Sequence, residues 1–273
     1  MRRPVHSSGE TLPVIGLGTY QAFDAGSSES KREALRQVLR DFVEREGALI
    51  DSSPMYGSSE RVIGDLTAEL GLRPQLFMAT KVWTRGESNG IEQMNESFRL
   101  MRVEVMDLMQ IHNLVDWRTH AKTLDDWKQR GKIRYTGVTH YHSGAYRDLE
   151  NIMKLRRFDF AQFNYSIVER EAEQRLLPLA LDTGTAVIIN RPFGAGNLFS
   201  RVRGVTLPAW SSEFDCSSWA QFFLKYIVSH PAVTCVIPAT SKPKHMIDDM
   251  GGGYGKLPDE AARQRMREFI DAL

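Results

Sequence analysis

Short apolar segments recur along the chain, and amphipathic segments of helical length separate most of them. Each apolar segment has the length of a buried strand, and the alternation with helical patterns is typical of βαβ units. We therefore predict eight strands, at residues 14–18, 48–51, 76–81, 105–112, 133–139, 158–163, 186–190 and 233–238.

The intervening segments predict helices. Residues 30–46 place their apolar side chains on one face, and residues 58–70 begin with serine N-cap candidates and stop at Gly71. Residues 217–230 form the most apolar helical segment. Residues 191–214 contain three glycines and two prolines without a clear helical pattern, so we predict a long loop there.

Strands that alternate with helices predict an α/β protein with a parallel sheet. Eight units within 273 residues fit a closed (β/α)8 TIM barrel better than an open doubly wound sheet. No Gly-x-Gly-x-x-Gly motif opens the first helix, which argues against a Rossmann fold. The length would also fit two ordinary domains, but no low-complexity linker divides residues 1–273, so we expect one domain.

The first residues predict an additional element. In "VHSSGETLPV", turn residues lie between two short extended arms, which indicates an N-terminal β-hairpin that covers the bottom of the barrel. Arg2 and Arg3 are not followed by an apolar segment, so this start does not resemble a signal peptide. We expect a cytoplasmic protein, although removal of an export signal would leave the same pattern.

The composition excludes several classes of partner. The 42% hydrophobic and 25% charged residues are typical of a globular protein, and 35 Lys and Arg against 34 Asp and Glu leave no basic field for nucleic acid or an anionic membrane. No apolar run is long enough to span a bilayer. Cys216 and Cys235 have no ligand-like spacing and are expected to be reduced, packed thiols.

Four chemically active side chains fall at or just after strand ends. Asp51, Lys81 and His112 end three successive strands, and Tyr56 follows Asp51 by five residues. Each alone has a structural explanation, such as a turn cap or a solvated charge. In a barrel, however, the strand ends meet at one face. An ammonium there would lower the pKa of the phenol from about 10 and make it a proton donor, while the imidazole could orient a carbonyl oxygen.

This constellation resembles the aldo-keto reductase superfamily. The resemblance rests on segments in the family's order: "GLGTY" (16–20), Ile50 and Asp51 with the "SSPMYGSSERVIG" that follows them (52–64), "ATKVW" (79–83), "QIHN" (110–113), "GKIRYTGVTHY" (131–141), "AQFNYS" (161–166) and "VIPATSKPKHMIDDM" (236–250). It implies an NADPH-dependent barrel oxidoreductase that reduces aldehydes and ketones to alcohols. It further implies that Tyr56 is the general acid, that Lys81 lowers the pKa of Tyr56, that Asp51 holds Lys81 and that His112 orients the carbonyl.

The resemblance also implies a cofactor site. Gln162 matches the residue that fixes the nicotinamide carboxamide, and Arg191 falls where many relatives stack an aromatic ring, although it could instead be a surface arginine. The loop glycines would allow close approach to the pyrophosphate. The matched positions for ribose, nicotinamide and pyrophosphate are Gly18, Thr19, Thr139, His140, Gln162, Arg191, Gly194, Gly196 and Leu198.

The segment after the last strand departs from the family pattern. Many relatives have Lys-Ser in place of Ala239 and Thr240, and an arginine in place of His245, where they bind the 2′-phosphate of NADP. Lysines and hydroxyl groups can still bind a phosphate, so NADPH is favoured, with NADH as the alternative. The residues expected at the phosphate and adenine are Thr240, Ser241, Lys242, Lys244, His245, Asp248 and Asp249.

Tyr20 and Trp83 are expected to line the substrate pocket, although both could be rim packing. The loop after His112 is short and the chain ends soon after its last helix, where many relatives have longer loops. We therefore expect an open cleft, a broad or bulky small-molecule carbonyl substrate and, from the resemblance, a monomer.

Two other functions remain alternatives. His140 and His142 form a His-x-His pair, as in metal-dependent barrel hydrolases, but the expected further ligands are missing, so we expect no metal. A protein that binds the cofactor and senses its redox state could also use this fold.

Overall fold

The protein contains ten strands, eight of which form one parallel sheet in chain order. The computed structural model describes all residues from 1 to 273. The strands are β1 (Arg2–Pro4), β2 (Thr11–Pro13), β3 (Leu17–Gly18), β4 (Leu49–Asp51), β5 (Phe77–Val82), β6 (Met106–His112), β7 (Ile133–His140), β8 (Phe160–Asn164), β9 (Ala186–Asn190) and β10 (Cys235–Val236).

The sheet closes on itself. Parallel bridges pair Ile15 with Val236 and Gly18 with Ala239, which joins the first and last strands of the sheet. A side chain at Gly18 would lie 2.8 Å from the carbonyl oxygen of Ile237, so this seam requires a glycine. The architecture is therefore the (β/α)8 TIM barrel predicted from the sequence, with all eight predicted strands present.

Helices surround the barrel. The predicted helices at 30–46, 58–70 and 217–230 are present with slightly shorter bounds. The helices are α1 (Glu29–Glu44), α2 (Ser59–Glu69), α3 (Glu87–Met101), α4 (Trp117–Gln129), α5 (Tyr146–Leu155), α6 (Leu176–Thr183), α7 (Asn197–Arg201), α8 (Trp219–Val228), α9 (Pro243–Gly251) and α10 (Glu260–Asp271). No helix has both the length and the apolar character needed to cross a membrane.

The long loop differs from the prediction. Residues 191–214 contain the five-residue helix α7 and 3-10 turns at Gly194–Gly196 and Ala209–Phe214. Helices this short cover at most two turns, so they leave no periodic pattern in the sequence.

Side chains alternate between two cores along each strand, as expected for a barrel. In β6, Leu108 points into the barrel interior, whereas Met109 and Ile111 pack outward against the helices. The predicted thiols follow the same division: Cys235 lies in the inner core, and Cys216 packs in the outer one. Both cysteines are free and buried.

The N-terminal hairpin covers the bottom of the barrel, as predicted. Strands β1 and β2 pair antiparallel, and Val5 and Leu12 complete the inner core. The hydroxyl oxygen of Tyr135 lies 2.7 Å from both Ser8 Oγ and Glu10 Oε2, which fixes the turn against the first residues of β7. The bottom is therefore closed, and the opposite end, where the strands finish, remains accessible.

Candidate active site

The strand alternation brings three of the predicted groups to one place. Asp51 follows Leu49 by two residues in β4, and Lys81 follows Ala79 by two in β5; both preceding residues belong to the inner core. His112 ends β6 with the same orientation as Leu108, four residues earlier. All three side chains are therefore directed to the interior at the end where the strands finish.

Lys81 is buried against a carboxylate. Its Nζ donates to Asp51 Oδ2 at 2.6 Å and to the carbonyl oxygen of Ser52 at 2.7 Å. Asp51 also accepts from Gln110 Nε2 at 3.0 Å and from Gln162 Nε2 at 3.2 Å. Two amide groups thus hold the carboxylate that holds Lys81.

This environment keeps Lys81 charged. Burial is the largest single effect and acts to lower the pKa of Lys81. The charge of Asp51, the effect of Tyr56, the hydrogen bond from Lys81 to Asp51 and the effect of Glu60 together outweigh burial, and the pKa is raised. A full positive charge therefore lies inside the barrel at neutral pH.

The loop that carries Tyr56 is held in place by Asp24, which lies in the loop between β3 and α1. Asp24 accepts from the backbone N–H of Ser58 at 2.9 Å and from its hydroxyl at 2.7 Å. Gly57 has φ +59°, and a side chain there would meet the Asp24 carboxylate. Ser58 occupies the N-cap position of α2, but its hydroxyl bonds Asp24 instead of a helix N–H, which corrects the expected serine cap.

Tyr56 lies above the ammonium and beside the imidazole. Lys81 Nζ is 5.3 Å from the centroid of the Tyr56 ring, and the ring centroids of Tyr56 and His112 are 6.1 Å apart. The four predicted groups therefore form one cluster.

The pKa of Tyr56 differs from the expectation. Burial raises it above its ordinary value of about 10, while the positive charge of Lys81 acts in the opposite direction. Lys81 thus acts to lower the pKa of Tyr56, as predicted, but burial outweighs this effect and the net pKa is raised. Tyr56 is therefore protonated at neutral pH and has a proton to donate.

His112 is neutral. Burial lowers the pKa of His112 to about 2, and the positive charges of Lys81 and His140 act in the same direction. The imidazole therefore carries a single N–H throughout the physiological range.

Two predicted cofactor residues near β3 have structural roles in the protein. Gly18 is required by the barrel seam. The hydroxyl of Thr19 lies 2.9 Å from the carbonyl oxygen of Asp51 and 3.1 Å from Ser52 Oγ, so it is committed to the loop beneath Tyr56. Contact with a cofactor at these positions would use the backbone.

Other predicted positions offer free groups to a nicotinamide. The side-chain amide of Gln162 donates to Asp51, but its Oε1 is buried without a hydrogen-bond partner. Asn190 Oδ1 at the end of β9 is also buried without a hydrogen-bond partner, and no sequence motif marks this residue. Unpaired buried acceptors are costly, so these two atoms fit the N–H donors of a carboxamide. Thr139 is buried opposite Gln162, His140 ends β7, and Arg191 is exposed.

The glycine loop is partly as predicted. Gly194 and Gly196 have φ +55° and +92°, a conformation that favours glycine. Leu198 differs, because its side chain is 1% exposed in the core and its N–H donates to the carbonyl oxygen of Phe193. Leu198 therefore packs in the core here, and its contact with a cofactor stays a prediction.

The predicted phosphate residues precede or begin α9. Thr240 Oγ1 accepts from the backbone N–H of Lys242 at 3.1 Å, and Ser241, Lys242, Lys244 and His245 are exposed. Burial and the positive charges of Lys242 and Lys244 lower the pKa of His245. His245 is thus held towards its neutral form beside two cations.

Two adjacent carboxylates follow on α9. Asp248 accepts from Ser218 Oγ and Gln221 Nε2, both at 2.8 Å. Burial, and then the charge of Asp248, raise the pKa of Asp249 to about 8. Asp249 is therefore largely protonated at neutral pH.

The mouth of the barrel is aromatic. Tyr20 is 55% exposed and packs against Tyr56, with ring centroids 5.1 Å apart; Trp83 is 42% exposed, 6.3 Å from the His112 ring. Gln93 of α3 holds the backbone of Trp83. Its Oε1 accepts from the N–H of Trp83, and its Nε2 donates to the carbonyl oxygen of Trp83. The spacing of Gln93 within α3 gave no sign of this contact.

The two histidines of the His-x-His pair accept hydrogen bonds from neighbouring backbone N–H groups. His140 Nδ1 accepts from the N–H of His142, and His142 Nδ1 accepts from the N–H of Gly144. The structure gathers no group of three or more His, Cys, Asp or Glu side chains suited to a metal ion.

We predict that Asp249→Asn stabilises the cofactor-free protein more at pH 9 than at pH 5. The native pKa of Asp249, about 8, lies above the unfolded value of about 3.9, so its contribution to stability is lost as pH rises between them. Asparagine removes this loss, which at about 1.4 kcal/mol per pKa unit is on the order of 5 kcal/mol over the full shift. Thermal unfolding of both proteins at the two pH values measures the effect, and equal differences in Tm would contradict it.

Comparison with known proteins agrees with this geometry. The model of the Aldo/keto reductase family matches residues 14–265. Methylglyoxal reductase YeaE of Escherichia coli (strain K12) is 26% identical over 251 residues, which cover 88% of this chain and 86% of that protein. The NADH-specific methylglyoxal reductase of the same organism is 27% identical over 231 residues, covering 71% of this chain and 68% of that protein.

Solved structures share the fold. The aldo/keto reductase from Klebsiella pneumoniae in complex with NADP and acetate superposes with a TM-score of 0.79 at 21% identity, covering 98% of this chain and 94% of that one. Because the family model matches nearly the whole chain, this protein belongs to the aldo/keto reductase family, the barrel enzymes that reduce carbonyl groups with a nicotinamide cofactor.

Proposed function

We propose that the protein reduces aldehydes or ketones to alcohols with NADPH, and that Tyr56 is the general acid. The observation that carries this proposal is the buried Lys81–Asp51 pair at 2.6 Å, lying beneath Tyr56 and beside His112. A phenol, an ammonium and a neutral imidazole in one pocket suit the protonation of a carbonyl oxygen.

Tyr56 supplies the proton. A bound nicotinamide contributes the hydride that adds to the carbonyl carbon. Tyr56 is protonated at neutral pH, and the charge of Lys81 stabilises the phenolate that remains after it donates to the oxygen. Asp51 keeps Lys81 in place and charged.

His112 orients the carbonyl. A neutral imidazole can donate one hydrogen bond to the oxygen without adding a second positive charge beside Lys81. Tyr20 and Trp83 flank the two donors and shield them from part of the solvent. The site thus holds the carbonyl between two donors and two aromatic rings.

Two sets of residues would hold NADPH. Gln162 Oε1 and Asn190 Oδ1 offer acceptors for the carboxamide. Lys242, Lys244 and His245 lie exposed at the start of α9, where a 2′-phosphate would meet two lysines and the N-terminus of a helix. NADH is the second candidate, because the family's arginine is absent here and one relative is named NADH-specific.

The substrate class is broad. Only four residues separate His112 from α4, and the exposed rings of Tyr20 and Trp83 leave the cleft open. We propose that small dicarbonyls and bulky aromatic aldehydes both enter, and methylglyoxal is the first to assay because two relatives are named for it. A strict single-substrate profile would contradict this.

A purely regulatory, redox-sensing role is not favoured, since the full set of proposed catalytic groups is assembled and the chain belongs to an enzyme family. A monomeric, cytoplasmic protein and one domain stay predictions.

We predict that Tyr56→Phe lowers kcat for carbonyl reduction by about 10²- to 10⁴-fold, because the proton donor is lost. NADPH binding, followed by cofactor fluorescence, should change little. Tyr254→Phe is the matched control, since Tyr254 is exposed and its hydroxyl donates to the carbonyl oxygen of Arg45, so the variant should retain activity. Wild-type turnover in the Tyr56→Phe variant would contradict the role of Tyr56 as general acid. If the wild-type protein binds NADPH but reduces no carbonyl, the redox-sensing role is favoured instead.

We also predict tighter binding of NADPH than of NADH, with a preference that grows as pH falls. His245 has a lowered pKa, so it gains its charge, and its attraction for the phosphate, only on the acidic side. Lys242→Ala with Lys244→Ala should weaken NADPH by roughly 10- to 100-fold and leave NADH unchanged.

The control for the pH effect is His245→Gln, which separates this histidine from the titration of the phosphate itself. Fluorescence titrations with both cofactors between pH 5.5 and 8.5 measure the preference. Equal affinities for NADH and NADPH at every pH would show that the basic cluster does not bind the phosphate.

A further inference from the structure

A serine lies directly behind the imidazole of the site. Ser53 Oγ is 3.0 Å from His112 Nδ1, and the two residues are 1% and 5% exposed. Ser53 follows β4 by two residues, between Asp51 and Tyr56, so the loop that presents the phenol also reaches the histidine. The cluster described above leaves this hydroxyl without a function.

The direction of this hydrogen bond can be inferred from the neighbours. Ser53 Oγ also accepts from the backbone N–H of Met55 at 3.4 Å. If Nδ1 carried the proton, the serine oxygen would accept two N–H groups, and its own proton would have no acceptor in a buried site. Leaving a buried donor unpaired is costly, so the arrangement that satisfies every group has Ser53 donating to Nδ1.

That direction determines the tautomer of His112. A neutral imidazole holds one proton, and a ring whose Nδ1 accepts must carry it on Nε2. Nε2 has no hydrogen-bond partner in the protein, although Nδ1 has one. Burial keeps the ring neutral, with a pKa of about 2. Nε2–H is therefore the one donor of His112 that a ligand can use.

We propose that Ser53 is a positioning residue, which fixes His112 in its Nε2–H tautomer and ring orientation so that it donates to the carbonyl oxygen. This inference rests on the proposed carbonyl reduction. It gives Ser53 a role separate from those of Asp51 and Tyr56, the two proposed catalytic residues on either side of it in the sequence, and that role acts on His112 alone.

The tautomer can be observed without turnover. Two-bond ¹H–¹⁵N correlations of the histidine-labelled protein distinguish the two tautomers, and His112→Gln identifies the His112 signals by their loss. We expect Nε2–H in the wild type. In Ser53→Ala we expect the Nδ1–H form to become detectable, with kcat about 3- to 10-fold lower and NADPH affinity unchanged. Ser53→Thr keeps a hydroxyl and should restore both properties.

The matched control is Thr67→Val. Thr67 is buried in α2 and its hydroxyl bonds the carbonyl oxygen of Ile63, so the variant loses a buried hydroxyl without touching His112. It should keep the wild-type tautomer and activity. An Nδ1–H tautomer in the wild type, or an Ala variant with unchanged tautomer and kcat, would overturn the inference.

The outcomes separate this inference from the proposed function. If the wild type reduces no carbonyl, the reaction is wrong whatever the spectrum shows. If it reduces carbonyls and Tyr56→Phe abolishes the activity, while Ser53→Ala leaves tautomer and kcat unaltered, only the role of Ser53 fails.

Discussion

The whole site depends on one buried charge pair, Lys81 with Asp51. Removing two ions from water costs several kcal/mol each, and the cost is offset only when geometry and additional hydrogen bonds are good. Here Gln110, Gln162 and the carbonyl oxygen of Ser52 complete the pair. These groups come from β6, β8 and the loop after β4, so only the closed barrel brings them together.

The positive charge of Lys81 acts to lower the pKa of both neighbours, against the effect of burial at Tyr56 and together with it at His112. It works against the burial that raises the pKa of Tyr56, and so favours the phenolate that proton donation leaves behind. It also adds to the burial that lowers the pKa of His112, and so keeps the imidazole neutral. The same ammonium therefore prepares Tyr56 to give up its proton and keeps His112 neutral, although the two ring centroids are only 6.1 Å apart.

The sequence predicted the features that periodicity and strand ends encode. The eight strands and the placement of Asp51, Lys81 and His112 at one face follow from apolar runs and from the barrel rule. The position of Gln110 was also predictable, because Gln110 precedes His112 by two residues in the same strand and must lie on the same face. Features that depend on loop conformation or burial were not: the contact of Ser53 with His112, the bond of Ser58 to Asp24, the packing of Leu198 and the net pKa of Tyr56.

The most direct test is the pKa of Tyr56 in the wild type and in the double variant Asp51→Asn with Lys81→Met, which removes the charge pair without leaving either ion unpaired. Tyrosine labelled at ¹³Cζ gives the titration curve by NMR, and Tyr56→Phe identifies the signal. We expect a pKa above the ordinary value of about 10 in the wild type and a higher one in the double variant, because the lowering effect of Lys81 exceeds the raising effect of the Asp51 charge and both are removed. An unchanged or lower pKa in the double variant would contradict a net lowering of the Tyr56 pKa by the Lys81–Asp51 pair.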